Sequence, residues 1–205
     1  MELKFQNTAR MQQLLHSGRT LVAVDTETTG LSAKRNHVIE IGAARFDEQG
    51  IKGEPFSSLV RCPVPLHPFI TGLTGITDAM LESAPSADQV MPRFLEFVGG
   101  DDAVFVAHNA RFDMSFLNAT LERTGLPPLA NDFVDTLHLA RLFLPALRKT
   151  DVEHPYSLQN LIHMLGIESD KAHRAYSDAV SCAKIFLKLA LSSPAVATAS
   201  LNSAI

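Results

Sequence analysis

Asp25 and Glu27 stand two residues apart where the apolar run Leu21 to Val24 ends, in the stretch VAVDTETTG. Side chains of an extended chain alternate between faces, so residues two apart project from one side and these two carboxylates come close together. Neighbouring anions raise each other's pKa unless a cation intervenes. A hard divalent ion, bound through oxygen ligands, removes that cost. The plainer alternative, a solvated strand end that happens to be acidic, leaves the repulsion uncompensated.

Two further segments carry groups of the same chemistry. Asp113 lies in HNARFDMSFL, where a short apolar strand gives way to a helix. An aspartate in a first helical turn is also favoured by the helix dipole, so alone it is equally a structural residue. His108 and Asn109 just before it can serve loop backbone. His173 and Asp178 follow in AHRAYSDA. If the last helix begins near Arg174, Asp178 sits a little over one turn inside it and His173 on the preceding loop. A carboxylate from the helix and an imidazole from the loop can then face one centre. Taken singly, each of the two has an ordinary surface reading.

The elements that must position these groups follow from pattern. Leu21 to Val24 reads as a buried strand leading into a turn at DTETTG. Val38 to Phe46 reads as a second strand, DEQG as a turn, and Phe56 to Arg61 as its hairpin partner. From Ser86 to Val98 the spacing of Val90, Phe94, Leu95 and Val98 is helical, with Ser86 as cap. A short strand AVFVA spans Ala103 to Ala107, and RFDMSFLNATLERTG reads as a helix stopped by Gly125. Thr136 to Leu144 and Ser157 to Leu165 give two short helices, the second ending at Gly166. A loop around SDKAHR leads to a final helix from Ala175 to Leu191, with Ala179, Val180, Ala183, Phe186, Leu187 and Ala190 on its apolar face. Residues 1–19 are expected to form a helical N-terminal extension and 192–205 a frayed tail. Strands first, then strands alternating with helices, imply an α/β fold with a mixed sheet and helices on both faces.

Composition narrows the function. With 205 residues, 46% of them hydrophobic, one compact domain is expected. Lys and Arg total 18 against 22 Asp and Glu, a formal charge of -4 with no basic block. That argues against holding nucleic acid mainly by counterion release. An enzyme meeting phosphates through two divalent cations is not excluded, because those ions add the missing positive charge where it is needed. Cys62 and Cys182 lack CxxC spacing and are expected as reduced, buried thiols. No signal core or long apolar run occurs, so a soluble cytoplasmic protein without membrane contact is expected.

Taken together, DTETTG, HNARFD and HRAYSDA occur in the order and spacing of the three exonuclease motifs of the DEDDh family, named for four acidic residues and a histidine. The resemblance runs from about Leu21 to Leu191. DTETTGL, TGLTGIT at Thr71 to Thr77 and YSLQNLIHMLGI further resemble the proofreading exonucleases of bacterial replicative polymerases, the DNA polymerase III epsilon-like branch. The resemblance implies a ribonuclease-H-like fold, a central five-stranded mixed sheet flanked by helices, with residues 1–191 as a single exonuclease domain. It implies two divalent cations, Mg²⁺ or Mn²⁺, with Asp25, Glu27 and Asp178 on one, Asp25 bridging to the second and Asp113 completing the acidic set. His173 is implied as general base, for which an unperturbed pKa near 6.5 is well placed. Backbone near Thr28 is implied to receive the terminal 3′-hydroxyl, Leu31, Leu73 and Phe112 to contact bases, and His108 to make a polar contact near the scissile end. Ordinary core packing is the alternative for the three apolar residues. Two positions depart from the branch: Thr74 stands where some members have histidine, and only SSPAVATASLNSAI follows Leu191, where epsilon subunits carry a longer polymerase-binding segment.

Three functions are compatible with these residues. The first is a 3′-to-5′ DNA exonuclease acting on 3′ ends, single-stranded DNA foremost, in proofreading or repair and with a DNA polymerase as a possible partner. The second is an exoribonuclease of the RNase T or oligoribonuclease kind, from which the DTETTG turn leans away. The third is a non-catalytic module binding nucleic-acid ends or a polymerase, which the intact set of five residues opposes.

Overall fold

A computed structural model describes residues 1–169 and 173–191. Five strands form one mixed sheet in the order β3-β2-β1-β4-β5, comprising β1 (Leu21–Thr28), β2 (Val38–Asp47), β3 (Gly50–Leu59), β4 (Val104–Ala107) and β5 (Asp132–Asp135). β2 is antiparallel to both of its neighbours, β1 and β3, whereas β4 pairs parallel with both β1 and β5. Helices α1 (Thr8–Leu15), α6 (Thr136–Phe143), α7 (Leu158–Met164) and α8 (Ala175–Leu191) lie over one face, with Met11, Leu139, Leu161 and Phe186 meeting Leu21, Ala23 and Phe46 there. The opposite face is covered by α4 (Ala87–Val98) and α5 (Ala110–Arg123), through Phe94, Phe116 and Leu117 against Val22, Val24 and Phe105. This is the expected α/β architecture with its two helical layers.

Several expected boundaries move, each for a tertiary reason. DTET is not a turn but the end of β1, because β2 pairs with it residue by residue, Asp25 opposite Gly42 and Glu27 opposite Glu40. β3 begins at Gly50 rather than near Phe56: it is an edge strand whose polar first half is little buried, with Gly50, Ile51 and Lys52 held by pairing to Asp47, Phe46 and Arg45 before the register slips. β5 has only four residues, too few to show the alternation by which a strand is read from sequence. Two short helices, α2 (Pro68–Thr74) and α3 (Asp78–Glu82), occupy a stretch with no expected element. Thr74 ends α2: its hydroxyl donates to Ile70 O at 2.9 Å and accepts from Ile76 N at 3.1 Å. The final helix has the expected bounds, though Val180 and Leu187 are half-buried at the margin of its apolar face. The loop expected around SDKAHR and the tail after Leu191 fall partly or wholly outside the described residues.

Two irregularities shape the region where the motifs meet. β4 last pairs with β1 at Val106 opposite Ala23, so β1 continues past it with β2 on one side only. That leaves a notch beyond the end of β4. Between Glu27 and Thr28 the ladder to β2 slips by one residue, and Ile39, the extra residue, is buried against Leu66, Ile70, Ile76 and Leu81. Bulges of this kind re-aim side chains next to functional sites.

Candidate active site

Residues alternate strictly along β1. Leu21 and Ala23 face the α8 layer and Val22 and Val24 the α5 layer, so Asp25 and Glu27 emerge on the α8 side and Thr26 on the α5 side. Asp178, 5% exposed in the first turns of α8, comes down onto the two β1 carboxylates. One donor atom from each of Glu27, His173 and Asp178 lies within 4.8 Å of the others, a spacing suited to a shared cation. His173 holds a left-handed backbone, φ 56°, just ahead of α8. Its N–H donates to Asp178 Oδ2 at 3.1 Å, and Gln159 Nε2 donates to Asp178 Oδ1 at 3.3 Å.

Asp113 reaches the site from the other layer. It sits in the first turn of α5, 2% exposed, and its Oδ1 accepts from Thr26 N at 3.0 Å and Thr26 Oγ1 at 2.8 Å. The Thr26 N–H is free to be taken because β4 has already ended. Asp113 therefore substitutes for a missing strand partner, and the notch brings an α5 carboxylate to a site otherwise built on the α8 face.

The electrostatics agree with the geometry. Burial pushes Asp25 well above the usual carboxylate range, and Asp113, Asp178, Glu27 and Glu40 push it further. Burial raises Glu27 to about 7, with Asp178 and Glu40 adding to the rise and Arg174 opposing it. Asp113 is raised to about 7 by burial, against the pull of its bonds from Thr26. Asp178 is raised by burial, moderated by His173 and its hydrogen bonds. Four carboxylates that resist ionisation together, joined by one imidazole, form a donor set for hard divalent cations. The close trio nevertheless differs from the expected one: it contains His173 in place of Asp25, with the His173 backbone N–H bonded to Asp178. Asp25 stands where it feels the charge of Asp113, Asp178, Glu27 and Glu40 alike.

The remaining candidates divide. Thr28 is 8% exposed and its hydroxyl donates to Gly30 O at 2.8 Å, so the side chain is committed to the turn that follows β1. Leu31, on that turn, is 90% exposed, and Leu73 on α2 is 43% exposed; core packing accounts for neither. Phe112 is half-buried, its ring 4.8 Å from that of Phe116. His108 does not present a ring nitrogen outward, contrary to the expected substrate contact: Nε2 lies 2.9 Å from Tyr156 O and Nδ1 3.1 Å from Thr136 Oγ1. Burial lowers its pKa, which favours a neutral ring donating to the Tyr156 carbonyl and accepting from Thr136. It ties β4 to α6 and to the loop before α7. Both cysteines are free, with Cys182 fully buried, while Cys62 is only half-buried because it lies in the open segment after β3.

Sequence reasoning missed Glu40, Arg174 and Gln159. Glu40 is 1% exposed and pairs with Arg174, Nη2 to Oε1 at 2.6 Å. Its signal was visible as the one carboxylate inside the largely apolar strand VIEIGAARF, since a buried carboxylate there requires a partner.

Residues 22–186 match the family model described as Exonuclease, of the RNase T group. The chain belongs to this exonuclease family. It is 40% identical over 172 residues to the DNA polymerase III subunit epsilon of Treponema pallidum, covering 84% of this chain and 77% of that one. It is 39% identical over 168 residues to the PolC-type DNA polymerase III of Caldanaerobacter subterraneus, covering 82% of this chain but 11% of that much longer protein. Among solved structures it resembles E. coli exonuclease I in complex with a dT13 oligonucleotide, with a TM-score of 0.75 and 21% identity over 87% of this chain and 42% of that one. The last likeness establishes the shared fold. Family membership makes the chain a nuclease that hydrolyses phosphodiester bonds, and the epsilon-like resemblance read from its motifs holds. Among the described residues no helix is long and apolar enough to cross a membrane.

Proposed function

We propose that this exonuclease removes nucleotides one at a time from the 3′ end of DNA, single-stranded ends foremost, releasing nucleoside 5′-monophosphates in proofreading or repair. The observation that carries the proposal is the convergence of Asp25, Glu27, Asp113, His173 and Asp178, drawn from three motifs and two helical layers, on the notch beyond β4. The epsilon-type relatives favour DNA over RNA and make a replicative polymerase the partner of choice.

The donor set fits Mg²⁺ or Mn²⁺: hard carboxylate oxygens dominate, and each is pushed up in pKa in a way that a cation would reverse. Asp25, Glu27, Asp113 and Asp178 would hold two such ions, which would supply the positive charge that an in-line phosphoryl displacement needs. The chain's own residues do the rest. His173, at the mouth of the cluster, takes the proton from the attacking water, and Asp178 steadies the imidazolium that results. Backbone around Thr28, held by the Thr28 to Gly30 bond, receives the terminal 3′-hydroxyl. Leu31 and Leu73, already exposed, lie against the terminal bases, and Phe112 offers the half of its ring not packed on Phe116. Such apolar contacts carry little base preference.

A time course on 5′-labelled single-stranded DNA with Mg²⁺, Mn²⁺ or EDTA, alongside matched RNA, tests this directly. A ladder shortening from the unlabelled end, dependent on metal and stronger on DNA, is expected. Cleavage at internal positions, or equal digestion in EDTA, would refute it; faster digestion of the RNA would move the assignment to an exoribonuclease.

A further inference from the structure

α8 delivers two groups of the site, Asp178 and the preceding His173, yet among the described residues its first turn carries no cap of the usual kind. Arg174 occupies the capping position, its carbonyl accepting from Asp178 N at 3.0 Å. Arginine has no acceptor with which to satisfy the free N–H groups of a helix start. The acceptor comes from the sheet instead: Glu40 Oε2, on β2, takes the Ala175 N–H at 3.1 Å. The same carboxylate receives the Arg174 side chain, Nε at 3.1 and 3.2 Å and Nη2 at 2.6 Å. One buried carboxylate thus holds both the backbone and the side chain of the helix start.

The seat is shaped to match. Gly42 lies two residues along β2 on the same face, and a Cβ there would stand 2.0 Å from Tyr176 N and 2.1 Å from Ala175 C. The first turn of α8 rests directly on the strand. Glu40 is also the register partner of Glu27 across the β1–β2 ladder. The strand pair that aims Glu27 is therefore the one that anchors His173 and Asp178.

We propose that Glu40 and Arg174 are positioning residues of this active site, a clamp that sets His173 and Asp178 in register with Glu27. Glu40 also adds its charge to that of the donor group, and Arg174 offsets part of it at Glu27, but neither side chain belongs to the close trio, and the clamp acts through the geometry it fixes. This role presupposes that His173 and Asp178 serve hydrolysis as proposed above.

Glu40→Gln and Arg174→Gln change the local charge in opposite directions, which allows a decisive comparison. Mn²⁺ affinity is measured on each full-length variant by titration, together with kcat and KM on a single-stranded oligonucleotide and the thermal midpoint. A positioning role weakens Mn²⁺ binding in both variants, by about 10-fold or more, and lowers kcat by a similar factor with KM little changed, as for groups that orient ligands elsewhere. Shifts of opposite sign in Mn²⁺ affinity would show a pure charge effect and overturn the proposal, as would wild-type binding in both. Arg174→Lys keeps the charge but loses the fork; should a glutamine variant fail to fold, this one decides. Lowered kcat in Arg174→Lys at an unchanged thermal midpoint supports the clamp, and wild-type kcat refutes it. An inactive wild-type protein would remove the hydrolytic reading, while the binding comparison would still decide whether the clamp orders the donor group.

Discussion

Asp113 on α5 is bonded to Thr26 on β1 through both the backbone N–H and the hydroxyl of the threonine, at 3.0 and 2.8 Å. This pair of hydrogen bonds ties α5 to β1 at the notch beyond the end of β4. Thr26→Val removes the hydroxyl donor and keeps the strand former. A buried hydrogen bond to a charged acceptor contributes about 1.5 to 3 kcal/mol. We expect a lower thermal midpoint and a kcat reduced on the order of 10-fold, read by melting and steady-state kinetics. Unchanged kcat would mean that the orientation of Asp113 does not matter.

The raised carboxyls make the metal-free protein sensitive to pH in an unusual direction. Glu27 and Asp113, near 7 when folded, lie above their unfolded values near 4, so between about pH 4 and 7 the native state binds more protons than the unfolded chain. Stability then falls as pH rises through that window. In EDTA the midpoint should drop by several degrees from pH 5 to pH 8, and Glu27→Gln should flatten the drop. Mg²⁺ should stabilise the protein more at pH 8 than at pH 5. A midpoint that climbs from pH 5 to 8 without metal would contradict the packing of these acids.

His173→Ala should lower kcat by about 10² to 10⁴, the usual range for a general base, while circular dichroism shows an unchanged fold. Retained activity in the purified variant would assign the proton transfer elsewhere.

Leu31→Ala separates substrate contact from packing. With 90% exposure the side chain supports little of the fold, and the midpoint should hold within about 0.5 kcal/mol. Covering a leucine on binding is worth about 1.5 to 3 kcal/mol, so KM for single-stranded DNA should rise about 10-fold or more. An unaltered KM would leave Leu31 as an idle surface residue.

Glycines 42 and 72 should respond in opposite ways to alanine. At Gly42 the added methyl meets the α8 backbone, and overpacking costs about 1 to 3 kcal/mol or more. At Gly72, within α2, it meets nothing within 4 Å and relieves a helical glycine of its entropy, a gain of roughly 0.5 to 1 kcal/mol. Thermal melts of the two variants check both signs.

Much of this was legible from residues alone. The period of two placed Asp25 and Glu27 on one face, and α8 begins at Ala175 and ends at Leu191 as its apolar spacing indicated. β5 and the polar half of β3 escaped, because a short strand and an edge strand are held by ladder bonds to neighbours far away in the chain. His108 was misjudged since its partners, Thr136 and Tyr156, are 28 and 48 residues distant.

Local chemistry singled out the residues proposed to bear the reaction: carboxylates two apart on a strand, an aspartate opening one helix and a histidine–aspartate pair opening another. Only the tertiary structure decided that they share a centre. The early end of β4 opens the notch that Asp113 enters, and Glu40 and Gly42 set the depth at which α8 rests. Neither effect has a local signature, because a strand's length is limited by its partner's register and a helix's seat by the space a missing side chain leaves on another strand.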